Sequence, residues 1–310
     1  MARPEVSDGL PVYNGEKYLP NTLKRLLAQD FEDFELIVSD NASTDRTPDV
    51  CRRFADRDPR LRYVRNETNI GLAANHNRTV QLSRDGSSSG PRTMTIFRDR
   101  CSPASLAPSR KGRRPSASCA RNASTSTSVG TSWAWTSDGV DKDDPWPHKR
   151  LAHLLRNVHM YNSAYGLIRL DVLRRTQLHG LYPMSDHVLL SELAMLGVFV
   201  ELPDSLLRIR RHPGRTFTAN KSVKALRELF APGKERRFPP ISMWMHVVTE
   251  LVRSAALIPP KPRDKVLGTA VALVVPQWRS FRNVGGRQKQ KLYKVLGSTP
   301  SPSRKEAKRP

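Results

Sequence analysis

The sequence predicts an α/β fold, a mostly parallel sheet flanked by helices, with a basic helical extension at its C-terminal side. Three observations predict it. Strand, loop and helix follow one another three times before residue 83, a helical and strand-like pattern resumes after Val140, and the positive charge is concentrated from Arg208 onward.

The first strand is Val6–Val12, running into a loop at Pro11-Val12-Tyr13-Asn14-Gly15. Tyr18, Leu19, Leu23, Leu26 and Leu27 then recur at helical spacing. Asp8 departs from the apolar residue expected in a buried strand, and a charge there lowers stability unless it reaches solvent or a partner. The second strand, from Phe34 to Ser39, ends in Asp40-Asn41-Ala42-Ser43-Thr44-Asp45, and Thr47-Pro48-Asp49 opens a helix as N-cap, first-turn proline and dipole-matched acid. The third strand, Leu61–Arg65, passes through Asn69-Ile70-Gly71 into a helix over Leu72–Leu82. Such alternation argues for parallel strands whose ligand site lies beyond their carboxyl ends.

The strings around Tyr13, Leu27-Ala28-Gln29, Phe34 to Asp45, and Asn69-Ile70-Gly71 with Asn75 agree in order and spacing with one family. Together they resemble the nucleotide-binding half of a family-2 glycosyltransferase with the GT-A, Rossmann-like fold. The resemblance implies that the first loop and the first Asp of the D-x-x-S-x-D run hold base and ribose, which maps onto Pro11, Tyr13 and Asp40. Asn14, Asn41, Ser43, Asp45 and Asn69 stand beside them as nucleotide-sugar residues. A carboxylate at a strand end can accept from a base N–H or ribose hydroxyl, and Tyr13 can stack. Asp40 also suits a turn, and Asp45 a helix cap.

From Arg84 to Ser137 the text changes: thirteen serines, eight arginines, two of the three cysteines and no sustained period, which reads as disorder. The family keeps here an Asp-x-Asp or Asp-Asp-Asp cluster that binds Mg or Mn on the donor diphosphate; this interval has none, and Asp141, Asp143 and Asp144 lie too late in the chain. Shifting the codon frame across Arg92–Arg98 forces GAC, aspartate, at the Met94/Thr95 junction and permits His-Asp-Asp-Asp-Ile-Pro overall. The same offset forces Gly at the Trp133/Ala134 junction, within Gly-Asn-Glu-Leu-Gly-Val. The segment thus reads as a frame-shifted stretch, or else as a Ser/Arg-rich insertion. Either way the carboxylates are missing, and weak or no catalysis is expected, since the cation would offset charge developing on the leaving group.

After Val140, Leu151, Leu154, Leu155 and Val158 form a helical face, and Met160 to Arg169 reads as a turn and strand. Ser185-Asp186-His187 opens a further helix. The family's general base falls at Asp186, where an inverting transfer needs one carboxylate to take the acceptor's proton; a plain N-cap is the alternative. Arg211 and His212, in a Pro-Gly turn, resemble the family's closing segment near diphosphate and metal. The remaining histidines show no zinc-ligand spacing with cysteine.

The chain has 310 residues, 52 Lys plus Arg against 29 Asp plus Glu, and a net charge of +23. From Arg208 to the end there are 24 basic and 5 acidic residues, so most of the excess lies there. With 38% hydrophobic residues a core can form, which excludes wholesale disorder. Three cysteines cannot build a disulfide framework, and no secretory leader pattern is evident, so a cytoplasmic location is expected. The longest apolar stretches are broken by Glu250 and Arg253 or too short to span a bilayer.

The expected organisation is a glycosyltransferase-like domain over 1–220, a basic helical extension over 221–300 and a disordered tail over 301–310. The resemblance implies inverting transfer from a nucleotide donor, most commonly UDP-linked, to a polysaccharide or lipid-linked hydroxyl. The basic, apolar C-terminal region suits peripheral contact with the inner face of a membrane. A non-catalytic nucleotide-binding remnant and a basic nucleic-acid-binding protein are the rivals, though no nucleic-acid module is recognisable.

Overall fold

The computed structural model describes residues 4–83, 93–95, 116–127, 130–136, 139–140, 143–157, 162–210, 223–233 and 243–276, with the strands inside 93–136 and 201–210 described as backbone. The first half follows the alternation in the sequence: β1 (Val6–Val12), α1 (Leu19–Leu27), β2 (Phe34–Asp40), α2 (Thr47–Ala55), β3 (Leu61–Arg65) and α3 (Leu72–Leu82). The three strands are parallel neighbours. Val12 lies opposite Asp40, and Asp40 opposite Arg65. The strands therefore end level, and the loops that follow them are brought together at one edge of the sheet, where open parallel sheets take their ligands.

Helical spacing explains how this half packs. Leu19, Leu23 and Leu26 of α1 are buried at i, i+4 and i+7, and they join Val6, Leu10, Leu36, Val38, Val50 and Leu61 in one core. Asp8 is buried in the middle of β1, while Glu35 of β2, opposite Ser7, accepts the Ser7 hydroxyl at 2.8 Å and lies 3.7 Å from Arg62. Thr47 differs from its expected role as N-cap. It is the first helical residue; its N–H is taken by Asp45 Oδ1 at 2.9 Å, and its hydroxyl accepts from Gly15 N–H.

The Ser/Arg-rich interval departs from the expectation of disorder in its described parts. It supplies β4 (Thr93–Thr95), β5 (Ser116–Thr127) and β6 (Gly130–Thr136) to the same sheet. The order is β3-β2-β1-β4-β7-β5-β6, with β7 at Leu167–Arg169 and with β8, Val198–Arg210, parallel to β5. β4 runs parallel to β1, while β7 is antiparallel to both β4 and β5. Side-chain periodicity carries no signal here because the pairing is made by main-chain groups: the flank of β1 facing away from β2 has peptide N–H and C=O groups that a buried sheet must satisfy.

The second half is built around α6 (Ser185–Leu196), which is buried on nearly every side. Leu189, Leu190 and Leu193 pack with Ile168, Leu170, Leu173 and Phe199. Arg150 on α4 (Pro147–Asn157) is buried and donates to the carbonyls of Ala194 at 2.7 Å and Met195 at 3.0 Å, satisfying the end of α6. A short helix, α5 (Leu170–Leu173), follows β7.

The extension forms α7 (Val223–Phe230), α8 (Met243–Leu257) and α9 (262–276). Val247, Leu251 and Ala255 of α8 and Ala272 and Val275 of α9 share a core with Leu151, Leu155, Val188 and Met195. Glu192 of α6, fully buried, accepts from Ser254 Oγ at 2.6 Å and from Gln177 N–H at 2.8 Å. Helices α8 and α9 are thus docked on the rest of the chain. Among the described residues no helix is long and apolar enough to cross a membrane.

Candidate functional site

At the carboxyl edge of β1 and β2, two loops are laced together. Asn14 N–H donates to Ser43 Oγ at 2.9 Å and Glu16 N–H to Asp45 Oδ2 at 3.1 Å, while Thr44 N–H donates back to Asn14 Oδ1 at 2.9 Å. Burial opposes charge on Asp45, but hydrogen bonds from Thr47 and from the Glu16 N–H outweigh it and hold the carboxyl below its ordinary value. The side chains of Asn14, Ser43 and Asp45 therefore fix the loops' shape. Tyr13, between them, is 46% exposed and leaves its ring open to a ligand.

Asp40 sits underneath. Its carboxylate is fully buried and accepts from Ser43 N–H at 2.9 Å and from the Tyr63 hydroxyl at 2.7 Å, with Arg65 Nε at 3.9 Å. Burial, and then the bond to Asp40, push the Tyr63 phenol upward, so it remains a donor at neutral pH. Asn41 and Asn69 are similarly engaged: Asn41 Nδ2 donates to Asn69 Oδ1 at 2.7 Å, and Asn41 Oδ1 accepts from Ile70 N–H and from Asn66 Nδ2. Asn66 reaches on to Asn75, which in turn holds Ser39 through both ends of its amide. This chain of amides welds the ends of β2 and β3 to the start of α3.

Asn69 Oδ1 also accepts the Gly71 N–H, and Gly71 then takes a φ of +88° at the N-terminus of α3. Glycine is required there twice over. The left-handed region disfavours a Cβ, and a Cβ would lie 2.4 Å from the Phe230 carbonyl oxygen. The end of α7 consequently presses on the Asn69–Gly71 loop.

Asp186 lies in the first turn of α6. Met184, just before the helix, has a φ of +68°, and Asp186 is past the cap position, accepting the His187 N–H at 3.0 Å. Its side chain is 39% exposed. It is nonetheless recessed among protein groups, and that desolvation raises its pKa. Next to it, Ser185 Oγ is 3.3 Å from His179 Nδ1, and the His179 ring lies 5.2 Å from that of His76 on α3. A cavity of about 280 Å³ opens alongside, walled by Gln177, Tyr182 and Val188 and, from α8, by His246, Glu250 and Arg253. Tyr182 meets the His246 ring edge-on at 4.6 Å.

Pro11 is the last but one residue of β1, at the same edge as Tyr13. Arg211 and His212 lie outside the described residues. Among the described residues no group of three His, Cys, Asp or Glu side chains could hold a metal ion. The donors described therefore do not fit the divalent cation that the resemblance implied, and no step is assigned to one. Tyr63, Asn66, Asn77 and His179 were not singled out in the sequence, because each acts through a partner far along the chain.

Residues 9–85 match the sequence profile of Glycosyl transferase family 2. The chain is 37% identical over 68 residues to glycosyltransferase GlyA of Streptococcus pneumoniae, covering 22% of this chain and 10% of that protein. It is 33% identical over 82 residues to a putative teichuronic acid biosynthesis glycosyltransferase, TuaG, of Bacillus subtilis, covering 26% and 32%. The matched stretch thus spans a third or less of either relative. The fold as a whole resembles residues 1–349 of S. aureus TarS in complex with UDP-GlcNAc, with a TM-score of 0.59 at 15% identity, covering 87% of this chain and 72% of that one. The same TarS fragment in complex with UDP gives a TM-score of 0.51. At that identity the likeness is one of fold. Residues 9–85 are thus similar to Glycosyl transferase family 2, and the sheet as a whole shares the fold of the TarS fragment.

Proposed function

We propose that the chain transfers a sugar with inversion from a nucleotide donor, UDP-linked, to a hydroxyl of a polysaccharide or lipid-linked glycan. The observation that carries this reading is the recessed carboxylate of Asp186 next to Ser185, whose hydroxyl lies 3.3 Å from His179, a residue hydrogen-bonded to Asn77 of the helix that starts beside Asn69. The names of the relatives and the nucleotides held by the TarS fragment support the donor class and a role in envelope polysaccharide assembly.

In this reading the Tyr13 ring stacks on the base while Pro11 lines the pocket, and Asp40, Asn41, Ser43, Asp45, Asn14 and Asn69 keep the loops in shape to receive it. The acceptor hydroxyl enters from the cavity beside Tyr182. Asp186 takes its proton as the oxygen attacks the anomeric carbon; the bond from that carbon to the diphosphate oxygen breaks, and the nucleoside diphosphate leaves with the electron pair. A raised pKa makes Asp186 a stronger base than an exposed carboxylate once it is ionised. The interval Arg84–Ser137 holds no Asp-x-Asp cluster to offset charge on the diphosphate, so turnover is weak. The protein works in the cytoplasm, in peripheral contact with the inner face of the membrane through its basic region.

A release assay for UDP with UDP-sugars and a mixed glycan acceptor tests this. Slow turnover that disappears in Asp186→Asn supports transfer. UDP binding with no turnover in either protein favours a nucleotide-binding remnant, a reading that the missing aspartate cluster specifically recommends.

A further inference from the structure

Helix α9 has two apolar faces. Gly268 packs against Ala255 and Met195, with 3.5 Å from its ideal Cβ to the Ala255 Cβ, and Ala272 and Val275 are buried on the same side. That contact fixes which way the helix is turned. The opposite face presents Val266, Ala270, Leu273 and Val274, spaced i, i+4, i+7 and i+8, with Val266 69%, Leu273 50% and Val274 64% exposed. No charged residue occurs from Val266 to Pro276. A surface helix normally carries its polar residues on the outward face, so this one is turned inside out.

We propose that this outward face of α9 is a membrane-docking surface that lies in the plane of an anionic bilayer, with Val266, Leu273 and Val274 in the acyl boundary. Charge and aromatic placement select this occupant. Lys261, Arg263 and Lys265 gather at the start of the helix, and the Arg263 guanidinium lies 4.7 Å over the ring of Trp146, itself 38% exposed. A tryptophan paired with cations at one end of an apolar stripe matches the headgroup level of a bilayer. The sequence beyond α9, 277–310, adds ten Lys and Arg against one Glu, attractive to anionic lipid. At 262–276 the helix is too short to span the bilayer. A stripe of four partly exposed aliphatic residues also falls short of the about 800 Å² per partner that a stable dimer buries.

This deepens the membrane contact in the proposed function by naming the surface, and it does not depend on sugar transfer. The test is co-sedimentation of the full chain with phosphatidylcholine vesicles and with vesicles that also contain phosphatidylglycerol, at low and high salt. The expected result is binding to the anionic vesicles that weakens by about tenfold or more in Leu273→Asp and in Val266→Asp, since each removes a buried aliphatic group and buries a charge. Both positions are exposed, so unfolding is not expected; an unchanged thermal midpoint and unchanged UDP titration check this, and Leu273→Ser replaces either variant that fails. Undiminished vesicle binding in the folded variants overturns the proposal for this face and leaves the basic region as the contact. No vesicle binding by the parent chain overturns both. A dimer in light scattering that Leu273→Asp converts to monomer overturns it in favour of a second copy, and the UDP titration reports on the nucleotide site independently of all three.

Discussion

Asn77 and His179, 102 residues apart, hold each other through two hydrogen bonds: the His179 N–H donates to Asn77 Oδ1 at 2.9 Å, and Asn77 Nδ2 donates to the His179 carbonyl at 2.8 Å. One amide thereby acts as a surrogate backbone partner between α3, which starts at the nucleotide loops, and the turn that leads to Asp186. Asn77→Ala leaves both main-chain groups of His179 without this partner. A loss of about 1–3 kcal/mol is expected, read as a lower urea midpoint with an unchanged slope. Turnover should fall more than UDP affinity, because the nucleotide loops are held by their own lacing.

Desolvation makes the ionised form of Asp186 unfavourable to the fold, while the proposed reaction uses that form. Its folded pKa is raised by desolvation, so over the window just above the ordinary carboxylate value the fold binds a proton that the unfolded chain has lost. Stability contributed by this group is therefore gained as pH falls and lost as pH rises through the folded pKa. Asp186→Asn should raise the thermal midpoint at neutral pH while lowering turnover by about 10²–10⁴-fold. A parent pH–rate profile should show an acid limb displaced above the usual carboxylate range.

His179 works in the other direction. Burial, followed by the neighbouring His76, holds its pKa down to about 3 against an ordinary 6.5. The unfolded chain then binds a proton below 6.5 that the fold refuses, so stability is full above that value and lost as pH falls towards 3. His179→Gln should flatten the decline of the urea midpoint between neutral pH and pH about 4 relative to the parent.

Gly71→Ala should be among the most damaging small substitutions. The left-handed backbone alone costs about 1–2 kcal/mol for an L-residue. The new Cβ also meets main-chain atoms of Phe230, 2.4 Å from the carbonyl oxygen, which no rotamer change relieves. Circular dichroism melting should show the drop, and limited proteolysis should reveal α7 displaced.

Much of the first half was legible because it obeys simple periods. Leu19, Leu23 and Leu26 announce one buried helical face, and the apolar run from Phe34 to Ser39 announces a strand buried on both sides. The meeting of the Tyr13 and Ser43 loops follows from parallel strands that end level. The helix start at Ser185-Asp186 was likewise legible from the acid in its first turn. The links that orient it were not legible: the Asn77–His179 pair and the Glu192–Ser254 bond, 62 residues apart, depend on tertiary approach and leave no local pattern. Nor were β4 to β6, whose pairing rests on peptide groups rather than on side-chain alternation. The docking of the extension was hidden for a third reason, since α8 and α9 read as apolar without saying which face is covered.

Calorimetric titration of UDP into the folded chain tests the nucleotide site at the carboxyl edge of β1 and β2 most directly. One binding event is expected, weakened by about tenfold in Tyr13→Ala through loss of base stacking and unchanged in Asp186→Asn. Absence of heat with UDP and with UDP-sugars, from protein that still unfolds cooperatively, would contradict it.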